Sequence, residues 1–209
     1  MSSLGGSSGS AGRVPAEILV GTLPRLRELE GRTLVVVAGH DILADAELRH
    51  AFCDDIAFLR YSGTRPVVVH DGGPHPPLGV DEDPTALRRY VAGYVQRQLV
   101  GLLNDRTPSA VGITGEDGGS LTVRSEGGVL VDTGVIETLL DSGHLLVMSS
   151  IAYGGDGDIH HLDAASAAAP LASALRGALV LPTGAGRRQG AAHVDMSQPH
   201  AVLRHFHRL

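Results

Sequence analysis

"RTLVVVAGHDI", residues 32–42, decides the class of fold. A run of β-branched residues empties into Gly39, then His40 and Asp41. A strand that ends in a small-residue turn is a common place to hold a phosphate or a carboxylate. Yet no cation stands in the turn to hold one.

Outward from that strand, the pattern alternates. Residues 14–31 carry apolar positions at helical spacing, interrupted by Pro24. Strand 33–38 is followed by helix 45–60, strand 66–70 and a long helix over 84–104. Short strands are expected near 109–114, 120–124 and 128–131, then helix 134–142, strand 145–149, helix 163–176 and strand 178–181. "AAHVD" reads as a last short strand and "PHAVLRHFHRL" as a closing helix that starts at proline. This alternation predicts an α/β three-layer αβα sandwich with a mostly parallel central sheet. Ligands in such sheets sit beyond the carboxyl ends of the strands, where the loops after 33–38 and 66–70 meet.

Composition narrows the function. The 209 residues, 43% hydrophobic, suffice for one α/β core, expected over 14–209 behind a disordered Gly/Ser tail at 1–13. No apolar run approaches the ~18–20 residues that span a bilayer. One cysteine, Cys53, fits a reducing cytoplasm and, in its helical pattern, reads as a packed thiol. A net charge of −6 and 3% aromatics argue against a nucleic-acid surface. All 17 basic residues are arginine, so a mechanism that requires lysine is excluded.

Several ordered motifs resemble the amino acid kinase family, in its N-acetylglutamate kinase branch. "LRYSGTRPVVVHDGGP" is similar to that family's second strand and H-G-G-G-P loop, and "AVGITGEDGGSLTV" to its V-G-[LI]-[ST]-G-x-D segment. "YVAGYVQRQLVGLLN" resembles its long dimer-forming helix; "AAHVDMSQPHAVL" resembles its closing A-H-[IV]-[IL]-D-G-x-x-P-H motif. "LLVMSSIAYGGDGDIHHLDAASAAAPLASAL" resembles the stretch that leads into N-x-N-A-D at a helix start. The resemblance implies the amino acid kinase fold, a homodimer through helix 84–104, and transfer of the γ-phosphoryl of ATP to an acyl-amino-acid carboxylate.

The charges that this chemistry uses in the family are replaced here. The strand-end lysine falls on Val37 and the Gly-Gly pair on Gly39 and His40. The loop reads His70-Asp71-Gly72-Gly73-Pro74, and the N-x-N-A-D positions fall on His161, Asp163 and Ala165. The substrate hairpin shrinks to "HPPLGVDEDP", and "PTGAGRRQGA" stands where the family has a long nucleotide-binding region. The expectation is therefore a chain that lacks most of the ATP-binding lobe. Arg187 or Arg188 offers a cation from another direction.

These replacements suggest a repurposed enzyme that runs acid–base chemistry without phosphorylation on a small carboxylate or amino-acid-derived substrate. Its candidate catalytic groups are His40, Asp71 and His161, with Asp41 and Asp163 weaker; Gly39, Gly72, Gly73 and His75 would hold the substrate. A non-catalytic pseudokinase that binds a small molecule or protein partner is the alternative, and a residual acetylglutamate kinase the third reading. No cofactor and no metal are expected, although His40, His75 and His161 would form a three-histidine site if their loops closed. Plainer readings stand beside these. His70 is structural, Asp163 caps its helix, His200 packs, and Asp156 with Asp158 forms a turn.

Overall fold

The computed structural model describes residues 16–73, 79–80, 83–155 and 157–208. The expected tail at 1–13, His75 and Asp156 lie outside the described residues. Helix α1 (Ala16–Leu29) leads into strand β1 (Thr33–Val37), then a short helix α2 (His40–Ala44), α3 (Ala46–Tyr61) and β2 (Arg65–His70). Helix α4 (Pro84–Arg88) continues through a wide π-helical turn, Arg89–Val95, into α5 (Gln96–Asn104). Next come β3 (Ala110–Thr114), β4 (Leu121–Val123), β5 (Val129–Val131), α6 (Gly134–Asp141), β6 (Leu145–Ser149), β7 (Ile151–Gly154) and β8 (Ile159–His161). Helix α7 (Ala164–Ala174), β9 (Ala178–Pro182), β10 (Ala191–Val194) and α8 (Ala201–Arg208) close the chain.

Six strands form a parallel sheet in the order β10-β9-β1-β2-β6-β3. The order reverses at β1, which therefore sits at the crevice where ligands of open α/β sheets collect. All five residues of β1 are buried because both faces are covered. Leu34 and Val36 enter one core with Phe52 and Ile56 of α3 and Leu99 of α5. Val35 and Val37 enter the other with Ile136 of α6 and Leu171 of α7. The period-2 alternation of a strand thus assigns neighbouring residues to opposite helical layers.

Two features depart from the expected elements. The short strands β4 and β5 do not join the main sheet; with β7 and β8 they form a second sheet in the order β5-β4-β7-β8. Residues 151–161 carry that hairpin, which the glycine-rich "YGGDGD" pattern concealed. The helix over 84–104 is also not uniform, because the wide turn interrupts it. That turn carries Val91 against the loop after β2: a Cβ on Gly72 would lie 2.6 Å from Val91 Cγ2. Gly72 also has φ +95°, so its lack of a side chain meets both demands.

The same helix buries Val91, Val95, Leu99 and Leu103 inside the chain and leaves Tyr94, Arg97 and Gln98 exposed. Its apolar positions are thus accounted for within one copy, so their number is no argument for a dimer. Gln96 is buried with them and donates from Nε2 to the carbonyls of Ile113 and Val147, at 2.7 and 2.8 Å. This amide ties α5 across β3 and β6 through backbone acceptors in a dry layer.

Candidate active site

The loops after β1, β2 and β8 were expected to converge, and two of them do so by direct contact. Asp71 follows β2, and its Oδ2 accepts from the backbone N–H of Ala164 at 3.2 Å. Its Oδ1 accepts from the N–H of Gly73, also at 3.2 Å. His161, at the end of β8, lies with Nε2 2.6 Å from the carbonyl oxygen of Asp71. One turn of loop is thereby held at the start of α7 from both sides.

The helix N-terminus explains these positions. The first amides of α7 lack partners within the helix, and the helix dipole favours a carboxylate there. Asp163 takes the N-cap, its Oδ1 accepting from Ser166 N at 3.0 Å. The plain capping role of Asp163 thus has a geometry behind it. Asp71 takes a second amide of the same end, so its carboxylate is engaged by backbone donors.

This changes the roles expected of the loop. The bond between His161 and Asp71 runs to the main-chain carbonyl and leaves the carboxylate to the two amides. No imidazole–carboxylate dyad of the kind expected for acid–base work is formed by these two residues. Gly73, expected to present its amide to a substrate, has already given it to Asp71. Gly72 packs on Val91 as described above.

His40 and Asp41 stand exposed in the first turn of α2. Gly39 caps that turn where a Cβ would meet Pro182 Cγ at 2.9 Å, so the end of β1 presses against the end of β9. A side chain at Gly39 would push apart the two strand ends that border the crevice.

His70 is the most displaced from ordinary chemistry. It is 0% exposed, and neither ring nitrogen has a hydrogen-bond partner. Burial lowers its pKa from 6.5 to about 4; the nearby Asp71 charge opposes the shift and His161 adds to it. Its ring is therefore neutral at pH 7. Ser149, its register partner on β6, also has a buried hydroxyl without a partner. The structural reading of His70 agrees with this burial, although packing alone does not explain two orphaned nitrogens.

Two groups near the crevice were less visible in the sequence. Arg188 donates from Nη2 to Ser166 Oγ at 3.2 Å, which brings a cation to the first turn of α7. A cavity of about 670 Å³ lies under the loop that joins β9 to β10, lined in part by Thr183, Arg187, Arg188 and His193. The double arginine is plain in the sequence, but nothing there pairs it with Ser166.

Comparison with known proteins agrees with this architecture. The model of the amino acid kinase family matches residues 32–183. An acetylglutamate kinase of Streptomyces griseus is 39% identical over 193 residues, covering 77% of this chain and 62% of that protein. One from Streptomyces avermitilis is 41% identical, covering 77% and 64% respectively. The chain therefore spans less than two thirds of the length of these relatives. Among solved structures, the N-acetylglutamate synthase of Neisseria gonorrhoeae in complex with coenzyme A and N-acetylglutamate matches with TM-score 0.66 and 25% identity, over 85% of this chain and 48% of that one.

These relatives correct the expected function. Relatives at 39–41% identity carry the name acetylglutamate kinase, which overturns the reading of a repurposed enzyme without phosphotransfer. The engaged carboxylate of Asp71 points the same way, because the acid–base pair on which that reading depended does not form. With its parallel sheet, its crevice at β1 and its match over most of the sequence, this chain belongs to the amino acid kinase family.

Proposed function

We propose that the chain is a phosphotransferase of the acetylglutamate kinase type, acting on the side-chain carboxylate of an N-acylated acidic amino acid. The similarity to acetylglutamate kinases over 77% of the chain carries this reading. The crevice supports it, because the start of α7, the 71–73 loop and Arg188 all lie on one side of the sheet end.

In the reaction, a carboxylate oxygen attacks Pγ of ATP. The bond from Pγ to the β,γ-bridging oxygen breaks, and its electron pair leaves with ADP. No proton has to move, so catalysis is positioning plus neutralisation of charge on the phosphoryl oxygens. In this chain neutralisation falls to guanidinium groups and amide donors, since no lysine exists. His161 holds the Asp71 loop, Asp163 orders the start of α7, and Gly39 keeps the β1 and β9 ends close. His40 and Asp41 border the crevice from α2, and the substrate enters against Gly72 and Gly73.

We also propose self-association through the outward face of the 84–104 helix, where Tyr90 and Tyr94 stack with centroids 5.7 Å apart. The buried single cysteine suits a reducing compartment, so we place the protein in the cytoplasm. Among the described residues no helix is long and apolar enough to cross a membrane.

The test is direct. Full-length protein with ATP and N-acetylglutamate in a magnesium buffer is expected to release ADP and to form a hydroxamate when hydroxylamine traps the acyl phosphate. Binding of N-acetylglutamate with neither product would overturn the phosphotransfer reading and leave a binding protein.

A further inference from the structure

We infer that Arg188 is the anchoring cation for a polyphosphate, and that the cavity under the 183–190 loop is the bay in which the rest of that anion lies. The inference rests on the kinase reading for its biological ligand, while its geometry stands on four observations.

First, a lysine-free chain grips phosphate only through guanidinium groups, imidazoles, hydroxyls and amides. Second, Arg188 is tethered to Ser166 Oγ at 3.2 Å, in the first turn of the eleven-residue helix α7. That hydroxyl is neutral, so the tether orients the guanidinium without cancelling its charge. One N–H of the fork serves Ser166, and others are available to an oxyanion beside the positive end of the helix.

Third, the cavity lining includes Arg187 and Arg188 and contains no acidic residue. Such a lining selects anions, and a volume of about 670 Å³ lies within the ~300–1,000 Å³ common for small-molecule sites. Fourth, His193 lines the same cavity with a buried Nε2 that has no hydrogen-bond partner. A buried polar atom without a partner is costly unless something completes it, and a phosphate oxygen or a bridging water would do so.

The shared chemistry is a chain of phosphoryl groups, which either a nucleoside triphosphate or a free inorganic polyphosphate supplies. Titration calorimetry on the full-length protein separates the two, with ATP in one arm and inorganic tripolyphosphate in the other. Both anions are expected to bind, and added salt to weaken them. Arg188→Ala is expected to raise both Kd values tenfold or more, and Arg188→Lys to recover part of the loss. The exposed position of Arg188 predicts an unchanged melting temperature for both variants. ATP bound more tightly than tripolyphosphate names the nucleotide as the ligand; equal affinities name the phosphates alone.

The inference is overturned if the wild type binds neither anion, or if Arg188→Ala binds both as the wild type does. Its failure is separable from that of the kinase reading. An acyl phosphate formed by Arg188→Ala with unchanged kcat and unchanged KM for ATP removes the inference and keeps the kinase. Polyphosphate binding that depends on Arg188, with no acyl phosphate formed by the wild type, does the reverse.

Discussion

Asp71 occupies the amides that an incoming anion would use. Its two carboxylate oxygens accept from Gly73 and Ala164, in a loop where the resembling family has glycine. Replacing Asp71 with Gly removes a negative charge from the crevice and frees both donors. The Kd for N-acetylglutamate is expected to fall roughly tenfold, equivalent to about 1.4 kcal/mol, by calorimetry. Stability is expected to drop by about 1–2 kcal/mol in urea, since the loop loses its hold on α7. An unchanged Kd would show that these amides do not face the substrate. His70 makes a different prediction. Its folded pKa of about 4 lies below the unfolded 6.5, so the unfolded chain takes up a proton first as pH falls. Its contribution to stability is complete above pH 6.5 and is lost progressively down to about pH 4, on the order of 3 kcal/mol in all. Urea titrations from pH 7 to pH 4 should show this slope, and His70→Leu should flatten it. At this scale the sequence marked the right positions but not their bonds. His161 and Asp71 are 90 residues apart, and only the fold makes the carbonyl of Asp71, rather than its carboxylate, the partner.

Helix α8 shows how an element depends on a residue far along the chain. Asp55, wholly buried on α3, accepts from the N–H groups of Val202 and Leu203 at 3.1 and 3.2 Å and pairs with His200 Nδ1 at 2.8 Å. Burial raises the pKa of Asp55, and the bonds from His200 and α8 oppose that shift. Removing it leaves buried donors and a helix start without a cap, so Asp55→Ala is expected to cost about 3 kcal/mol in urea denaturation. A cost below about 1 kcal/mol would mean that water replaces the carboxylate. In the sequence, Asp55 is one acidic residue in a helical repeat, and helical periodicity does not tell which face it occupies. The β7–β8 hairpin was hidden for another reason. Its three-residue and four-residue strands are too short to set up an apolar alternation, and they exist because β4 offers an edge. The long helix was predicted as one piece because the wide turn at Arg89–Val95 changes hydrogen bonding without changing the apolar spacing by much.

For the molecule as a whole, the lack of lysine sets the expected rate. A phosphoryl-transfer site that loses a preorganised cation typically loses ~10²–10³-fold in kcat, so this chain is expected to turn over that much more slowly than a relative with the strand-end lysine. Side-by-side ADP-release assays would measure the ratio, and equal rates would show that arginine replaces lysine fully. Sedimentation velocity is expected to give a dimer, and Tyr94→Glu on the outward face a monomer; a wild-type monomer would remove the proposed interface. Much was decided by the sequence alone: strand and helix order, a mainly parallel sheet, the family, and the absence of lysine. These follow from local periodicity and composition, which act over a few residues and survive in any packing. The tertiary structure alone decided which donor meets which acceptor: Asp71 with two amides, Asp55 with α8, Arg188 with Ser166. Such pairings join residues distant in the chain, and their energy comes from burial and geometry that exist only once the layers have packed.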